Sequence, residues 1–131
     1  MHLQVGDTIQ FERTFTKDDV KNFTEVSKDE GEHHREPDEL DRLVVQGLLT
    51  ATLPTKVGGD YNVLARTMHF EFLRPVFTGD TIRCDVKIER LEKTKQNKHR
   101  MSILAKFHCT NQHGKEVLNG YFSGVILTEA S

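Results

Sequence analysis

Residues 43–59 read LVVQGLLTATLPTKVGG, and the way this stretch folds decides the architecture of the chain. From about Gly47 to Val57 it is rich in Leu, Ala and Thr and carries few charges. An element that is apolar nearly all round belongs inside a core, not on a surface. Gly58-Gly59 closes it with a good helix stop. Pro54 lies within the pattern, where a proline removes a hydrogen bond and crowds the preceding turn at a cost of about 3 kcal/mol if nothing compensates. The element must either kink or divide into two short helices, and a kink is the expectation.

Working outward, the period changes to two after Gly59. Leu64, Met68, Phe70 and Phe72 read as one face, with Arg66 interrupting them. Ile82, Cys84, Val86 and Ile88 alternate with Arg83, Asp85, Lys87 and Glu89. Met101, Ile103, Ala105, Phe107 and Cys109 repeat the alternation, and Val117 to Leu127 reads as a last, more apolar strand. Turn chemistry separates these runs at Thr78-Gly79-Asp80, at Lys95-Gln96-Asn97-Lys98 and at Asn111-Gln112-His113-Gly114. On the N-terminal side, Val5 to Phe15 is extended, and Thr16 is a plausible N-cap with Asp18 and Asp19 in the first turn. Val20, Phe23 and Val26 then form one apolar stripe on a helix ending near Ser27. One sheet needs one cover, and the 47–57 element is the only one able to supply it. The expected class is α+β, a curved antiparallel sheet wrapped around one central helix.

The composition bounds what such a domain does. At 131 residues the chain is expected to be one domain, 1–131, with a single core. Its 36% hydrophobic and 29% charged residues suit a globular protein and exclude a disordered one. A net charge of -2 with interspersed signs draws it to neither nucleic acid nor an anionic membrane. The basic run from Lys93 to Arg100 reads as a solvated hairpin tip, with contact to an anionic ligand as the other reading. Cys84 and Cys109 each sit in an alternating pattern and read as buried reduced thiols. No signal-peptide pattern opens the chain and no apolar run reaches membrane-spanning length, so cytoplasm is the expected location.

Between the two helical segments lies KDEGEHHREPDELD, residues 28–41, unusually polar for a connection between apolar elements. Loops of this kind often carry function. Three stretches resemble the MaoC-like branch of the hotdog superfamily, which includes the (R)-specific enoyl-CoA hydratases. Val26-Ser27-Lys28-Asp29, running on to His34, is similar to that family's Ser-Gly-Asp-x-Asn-x-x-His motif, with its Asp and His five residues apart. Val45-Gln46-Gly47-Leu48-Leu49-Thr50-Ala51 is similar to the His-Gly-Met-Leu that opens the family's central helix. Residues 72–81, FLRPVFTGDT, resemble its strand-turn-strand segment most closely.

The resemblance implies a hotdog fold and a hydratase or dehydratase acting on an acyl thioester, of the trans-2-enoyl-CoA to 3-hydroxyacyl-CoA type. Carried over by position, Asp29 and His34 would be the acid/base pair. The N–H at Gly47 would face the thioester oxygen, with Gln46 and Leu48 beside it in the oxyanion and substrate-binding region. Acyl-CoA or an acyl-carrier thioester would be the partner, with no cofactor, and the chain would form at least a homodimer. The motif is altered here. Gly31 stands where the family usually has Asn, Glu32 and His33 replace its usual Pro and Leu, and Gln46 replaces a His. The segment from His34 to Gly47 is also several residues shorter than usual.

Other readings of the same residues remain open. Adjacent His33 could serve in place of His34, although register favours His34. Glu30, Glu32, His33, His34, Glu36 and Asp38 invite a metal, but neighbours on a flexible loop seldom converge on one ion, so none is expected. Arg74 reads as a strand-end surface residue or a phosphate contact, and Thr50 and Thr52 as backbone-bonded core threonines or substrate contacts. His69 should point away from Phe70, outward or towards a partner subunit. Two further activities are compatible with the pattern: a hotdog thioesterase, and a non-catalytic acyl-thioester-binding or partner subunit.

Overall fold

The computed structural model describes residues 3–95 and 99–127, so part of the Lys93–Arg100 tip lies outside the described residues. In chain order the elements are β1 (Thr8–Thr14), α1 (Lys17–Ser27), α2 (Glu32–Arg35), α3 (Gly47–Thr50), α4 (Thr52–Asp60), β2 (Val63–Phe72), β3 (Thr81–Lys93), β4 (Arg100–Thr110) and β5 (Glu116–Leu127). The strands form one five-stranded sheet in the order β1-β3-β4-β5-β2, antiparallel at every pairing. Alternation decides which face is buried. Ile82, Cys84, Val86 and Ile88 of β3 and Ile103, Ala105, Phe107 and Cys109 of β4 turn inward, where Leu49, Leu53 and Val57 of the central helix meet them. This is the hotdog architecture.

Local chemistry places the helices. Thr16 caps α1 as expected: its hydroxyl accepts from the Asp19 N–H at 3.1 Å, and the Asp19 carboxylate accepts from the Thr16 N–H at 2.9 Å. The α1 helix ends at Lys28, which takes a left-handed conformation with φ 62°. The central helix bends and divides at Ala51, one turn before Pro54. Proline lacks the N–H that would reach the Thr50 carbonyl, and its ring crowds that turn, so the break falls upstream of the proline itself.

Two features depart from the expectations. The 28–41 segment is not wholly irregular, because Glu32–Arg35 closes one helical turn. More consequentially, β2 carries a bulge between Ala65 and Thr67. Met68 pairs with Phe122 and Phe72 with Leu118, on the inner face, whereas Leu64 pairs with Val125 on the outer one. The extra residue shifts the alternation by one, so Leu64 does not share the face of Met68, Phe70 and Phe72. Curvature between β5 and β2 is tight enough that a Cβ at Gly120 would collide with the His69 carbonyl, and one at Gly124 with the Leu64 carbonyl.

Candidate functional site

The polar segment folds back on itself before the central helix, and its turns are built from short side chains. Ser27 Oγ accepts from the Asp29 N–H at 3.0 Å, and Asp29 Oδ1 accepts from the Gly31 N–H at 3.4 Å. That leaves Asp29 Oδ2 facing outward from the turn. Further on, Asp38 accepts from the N–H groups of Leu40 and Arg42 and from the Arg42 guanidinium, each at 2.9 Å. The Arg42 side chain, above all, holds the Asp38 carboxyl below its ordinary value. Arg42 also lies over the Phe77 ring, 3.9 Å from its centroid. This knot returns the chain so that the Val44 N–H donates to the His33 carbonyl at 3.0 Å and the Val45 N–H to the Val76 carbonyl at 2.7 Å.

His34 is 6% exposed and Asp29 52%. The Nδ1 of His34 lies 2.6 Å from the Val44 carbonyl oxygen. A carbonyl only accepts, so Nδ1 carries the hydrogen, and in the neutral ring Nε2 holds a lone pair. Nε2 faces Asp29 Oδ2 at 3.6 Å. Two acceptors at that separation make no direct hydrogen bond, yet both can accept from one water. The fold therefore brings Asp29 and His34 together, and His34 lines a cavity of about 310 Å³.

Gly47 and Thr50 line the same cavity from the central helix, and His33, Phe72 and Arg74 line its other sides. Phe72 rests on Gly47 so closely that a Cβ there would sit 3.0 Å from the ring Cε1. The Arg74 guanidinium donates to the Glu116 carbonyl at 2.6 Å. Leu48 is 60% exposed and outside the cavity lining. Gln46 also turns away: its Nε2 donates to Thr24 Oγ1 at 2.8 Å and to the Val20 carbonyl at 3.3 Å, tying α1 to the core. The Gln46 side chain thus packs helix against helix and does not line the cavity. Gln46 Oε1 is buried without a partner among the described residues.

The remaining candidates sit apart. His69 stacks on Tyr121 with centroids 5.3 Å apart and faces outward near Glu71; His108 pairs with Asp85 at 3.4 Å. Thr52 Oγ1 donates to the Leu49 carbonyl at 2.6 Å. Among the described residues no three His, Cys, Asp or Glu side chains converge as metal ligands, and no helix is long and apolar enough to cross a membrane. Two contributors were not anticipated from the sequence, the Val44 carbonyl and Phe72. Nothing local in the sequence points to either.

Comparison with known proteins fits this geometry. A family model described as the thioesterase superfamily matches residues 40–97. A mitochondrial 3-hydroxyacyl-[acyl-carrier-protein] dehydratase from Arabidopsis thaliana is 28% identical over 127 residues, covering 88% of this chain and 72% of that protein. An (R)-hydratase from A. caviae involved in PHA biosynthesis superposes with a TM-score of 0.81 at 23% identity, covering 95% of this chain and 97% of the other. A MaoC-like dehydratase from Rhodospirillum rubrum gives 0.77 at 15% identity, covering 98% and 96%. The structural likenesses establish the hotdog fold. By name the Arabidopsis relative is a dehydratase, and these two structural neighbours are a hydratase and a dehydratase.

Proposed function

We propose that this chain hydrates or dehydrates an acyl thioester, interconverting a trans-2-enoyl and a 3-hydroxyacyl group, with Asp29 and His34 as the acid/base pair. One observation carries the reading: His34 is pinned through Nδ1 to the Val44 carbonyl and turns Nε2 to Asp29 Oδ2 at 3.6 Å. A water held by both acceptors has its oxygen lone pairs free for Cβ of the enoyl group. As the C–O bond forms, a proton passes from that water to the pair, and Cα receives one in return, so the elements of water are added with none left over. Negative charge builds on the thioester oxygen meanwhile. The Gly47 N–H, in the first turn of α3 and without an intrahelical acceptor, is the donor we assign to it. Substrate would be an acyl-CoA or an acyl-carrier thioester, as the dehydratase and hydratase names of the relatives suggest.

The site opens beside β2, an edge strand whose Met68 and Phe72, with the following Leu73, are part-exposed. We place a second copy against this edge as a homodimer. The two free buried thiols fit a reducing compartment such as the cytoplasm.

The test is the absorbance of a conjugated short-chain trans-2-enoyl-CoA over time. Wild type should consume it, and His34→Ala and Asp29→Asn should be about 10²- to 10⁴-fold slower. Full activity in His34→Ala would overturn the assignment. The thioesterase-superfamily match over residues 40–97 favours a second reading, hydrolysis of the thioester. Release of free CoA thiol with the double bond untouched would establish it, and silence in both assays with acyl-CoA still bound would indicate a non-catalytic binding subunit.

A further inference from the structure

The two unusual residues of the Asp–His motif, Gly31 and His33, touch each other. The His33 imidazole folds over Gly31, and a Cβ at position 31 would lie 2.9 Å from His33 Cε1 and 3.3 Å from His34 Cδ2. Glycine is therefore the residue that admits both rings at once. The backbone at Gly31 is an ordinary one, φ -52° and ψ 142°, so the glycine is not needed for conformation. With that space open, the His33 and His34 rings approach to 3.9 Å between centroids at an interplanar angle of 56°.

His34 needs such a neighbour. Its one hydrogen bond to the Val44 carbonyl leaves the ring free to rock about that contact, because χ2 of histidine is a broad torsion. Asp29 gives little further restraint at 3.6 Å and 52% exposure. The His33 imidazole makes no hydrogen bond or ion pair among the described residues, while its backbone carbonyl is held by the Val44 N–H at 3.0 Å. Val44, which bridges to Phe77, thus anchors both histidines, one through its N–H and the other through its carbonyl.

We propose that His33 is a positioning residue, its ring seated in the space left by Gly31 and backing His34 so that Nε2 stays turned to Asp29. The two departures from the motif then form one compensating pair. A ring at 33 supplies the order that a side chain at 31 would otherwise provide. The role rests on the assignment of His34 above, and it requires a flat ring at 33 without requiring that ring to titrate.

The experiment uses the full chain as wild type, His33→Ala, His33→Phe and Gly31→Ala. Long-range ¹H–¹⁵N spectra of the imidazoles report the tautomer and order of His34 whether or not the protein turns over any substrate. Wild type should give a single Nδ1–H signature for His34. In His33→Ala and Gly31→Ala this signature should shift or broaden, and in His33→Phe it should return. On enoyl-CoA, His33→Ala should lose about tenfold in kcat with KM little changed, a small misplacement of a catalytic group. His33→Phe should recover most of the rate with the wild-type pH profile. An unchanged His34 signature in His33→Ala, or failure of the Phe variant to restore it, would overturn the proposal. If the spectra behave as expected and wild type is inactive on enoyl-CoA, the positioning role stands and the hydratase assignment falls.

Discussion

The Val44 carbonyl holds Nδ1 of His34 at 2.6 Å, and this one contact decides which nitrogen the site presents to Asp29. It reaches across ten residues of chain, so the orientation of the imidazole depends on how the intervening segment turns. Asp38 and Arg42 make that turn, 2.8 Å apart as an ion pair and reinforced by hydrogen bonds to the backbone. The next residue, Val45, is engaged elsewhere, its N–H donating to the Val76 carbonyl.

Loss of the Asp38 turn should therefore be felt at the Asp29/His34 pair. In Asp38→Ala we expect about a tenfold fall in kcat, the price of a small displacement of His34. The pH dependence has a definite sign. Asp38 has a folded pKa below its ordinary 3.8, so its stabilising effect is complete above 3.8 and is lost as the pH falls through the depressed folded value. Acid unfolding of wild type and Asp38→Asn should diverge above that window and converge below it.

Gly47 is constrained by an aromatic ring and not by its backbone. In Gly47→Ala the new Cβ would meet Phe72 Cε1 at 3.0 Å, and the half-exposed ring would swing aside at little cost to stability, about 1 kcal/mol or less. Activity should suffer more, through a raised KM for the thioester. The double variant Gly47→Ala/Phe72→Leu should regain part of the loss, which steady-state kinetics would reveal.

Cys84 and Cys109 are directly opposed on β3 and β4, both buried completely. Hydrogen bonding with Cys109, followed by burial, pushes the Cys84 thiol well above the ordinary range. Ellman's reagent should find no reactive thiol in the native protein at neutral pH and both after unfolding. Rapid native labelling would contradict this packing.

If β2 is the dimer edge, charge placed on its exposed apolar residues should weaken association. Leu64→Lys with Leu73→Lys is expected to shift sedimentation towards the monomer, with far-UV circular dichroism unchanged. A wild-type monomer at working concentration would remove the dimer from the account.

The strand alternation and the apolar helix were legible because burial imposes a period on the residues that experience it. The Thr16 cap was legible for a similar reason, its partners lying within one turn. Gln46 was not, because its neighbours Thr24 and Val20 come from a helix more than twenty residues earlier. The resemblance to a known motif suggested Asp29 and His34 as a pair; the backbone oxygen that aims the histidine has no side-chain signature at all. Phe72 looked like one more inward residue of a strand, and its contact with Gly47 exists only in the folded chain.

The bulge at Arg66 gives β2 two phases within one strand. Val63 and Ala65 line a slot against Pro54 and Gly58, together with Met68 from beyond the bulge, although their positions differ by odd numbers. The pairing skips Arg66, since Ala65 lies opposite Gly124 and Thr67 opposite Ser123. Deleting it would put the strand in a single phase and leave the register intact, with Val63 and Ala65 still turned to the helix and Leu64 still outward. An alignment of this chain with a relative lacking the bulge should carry its one-residue gap at this point, and a gap placed a few residues away would misassign which side chains face the helix.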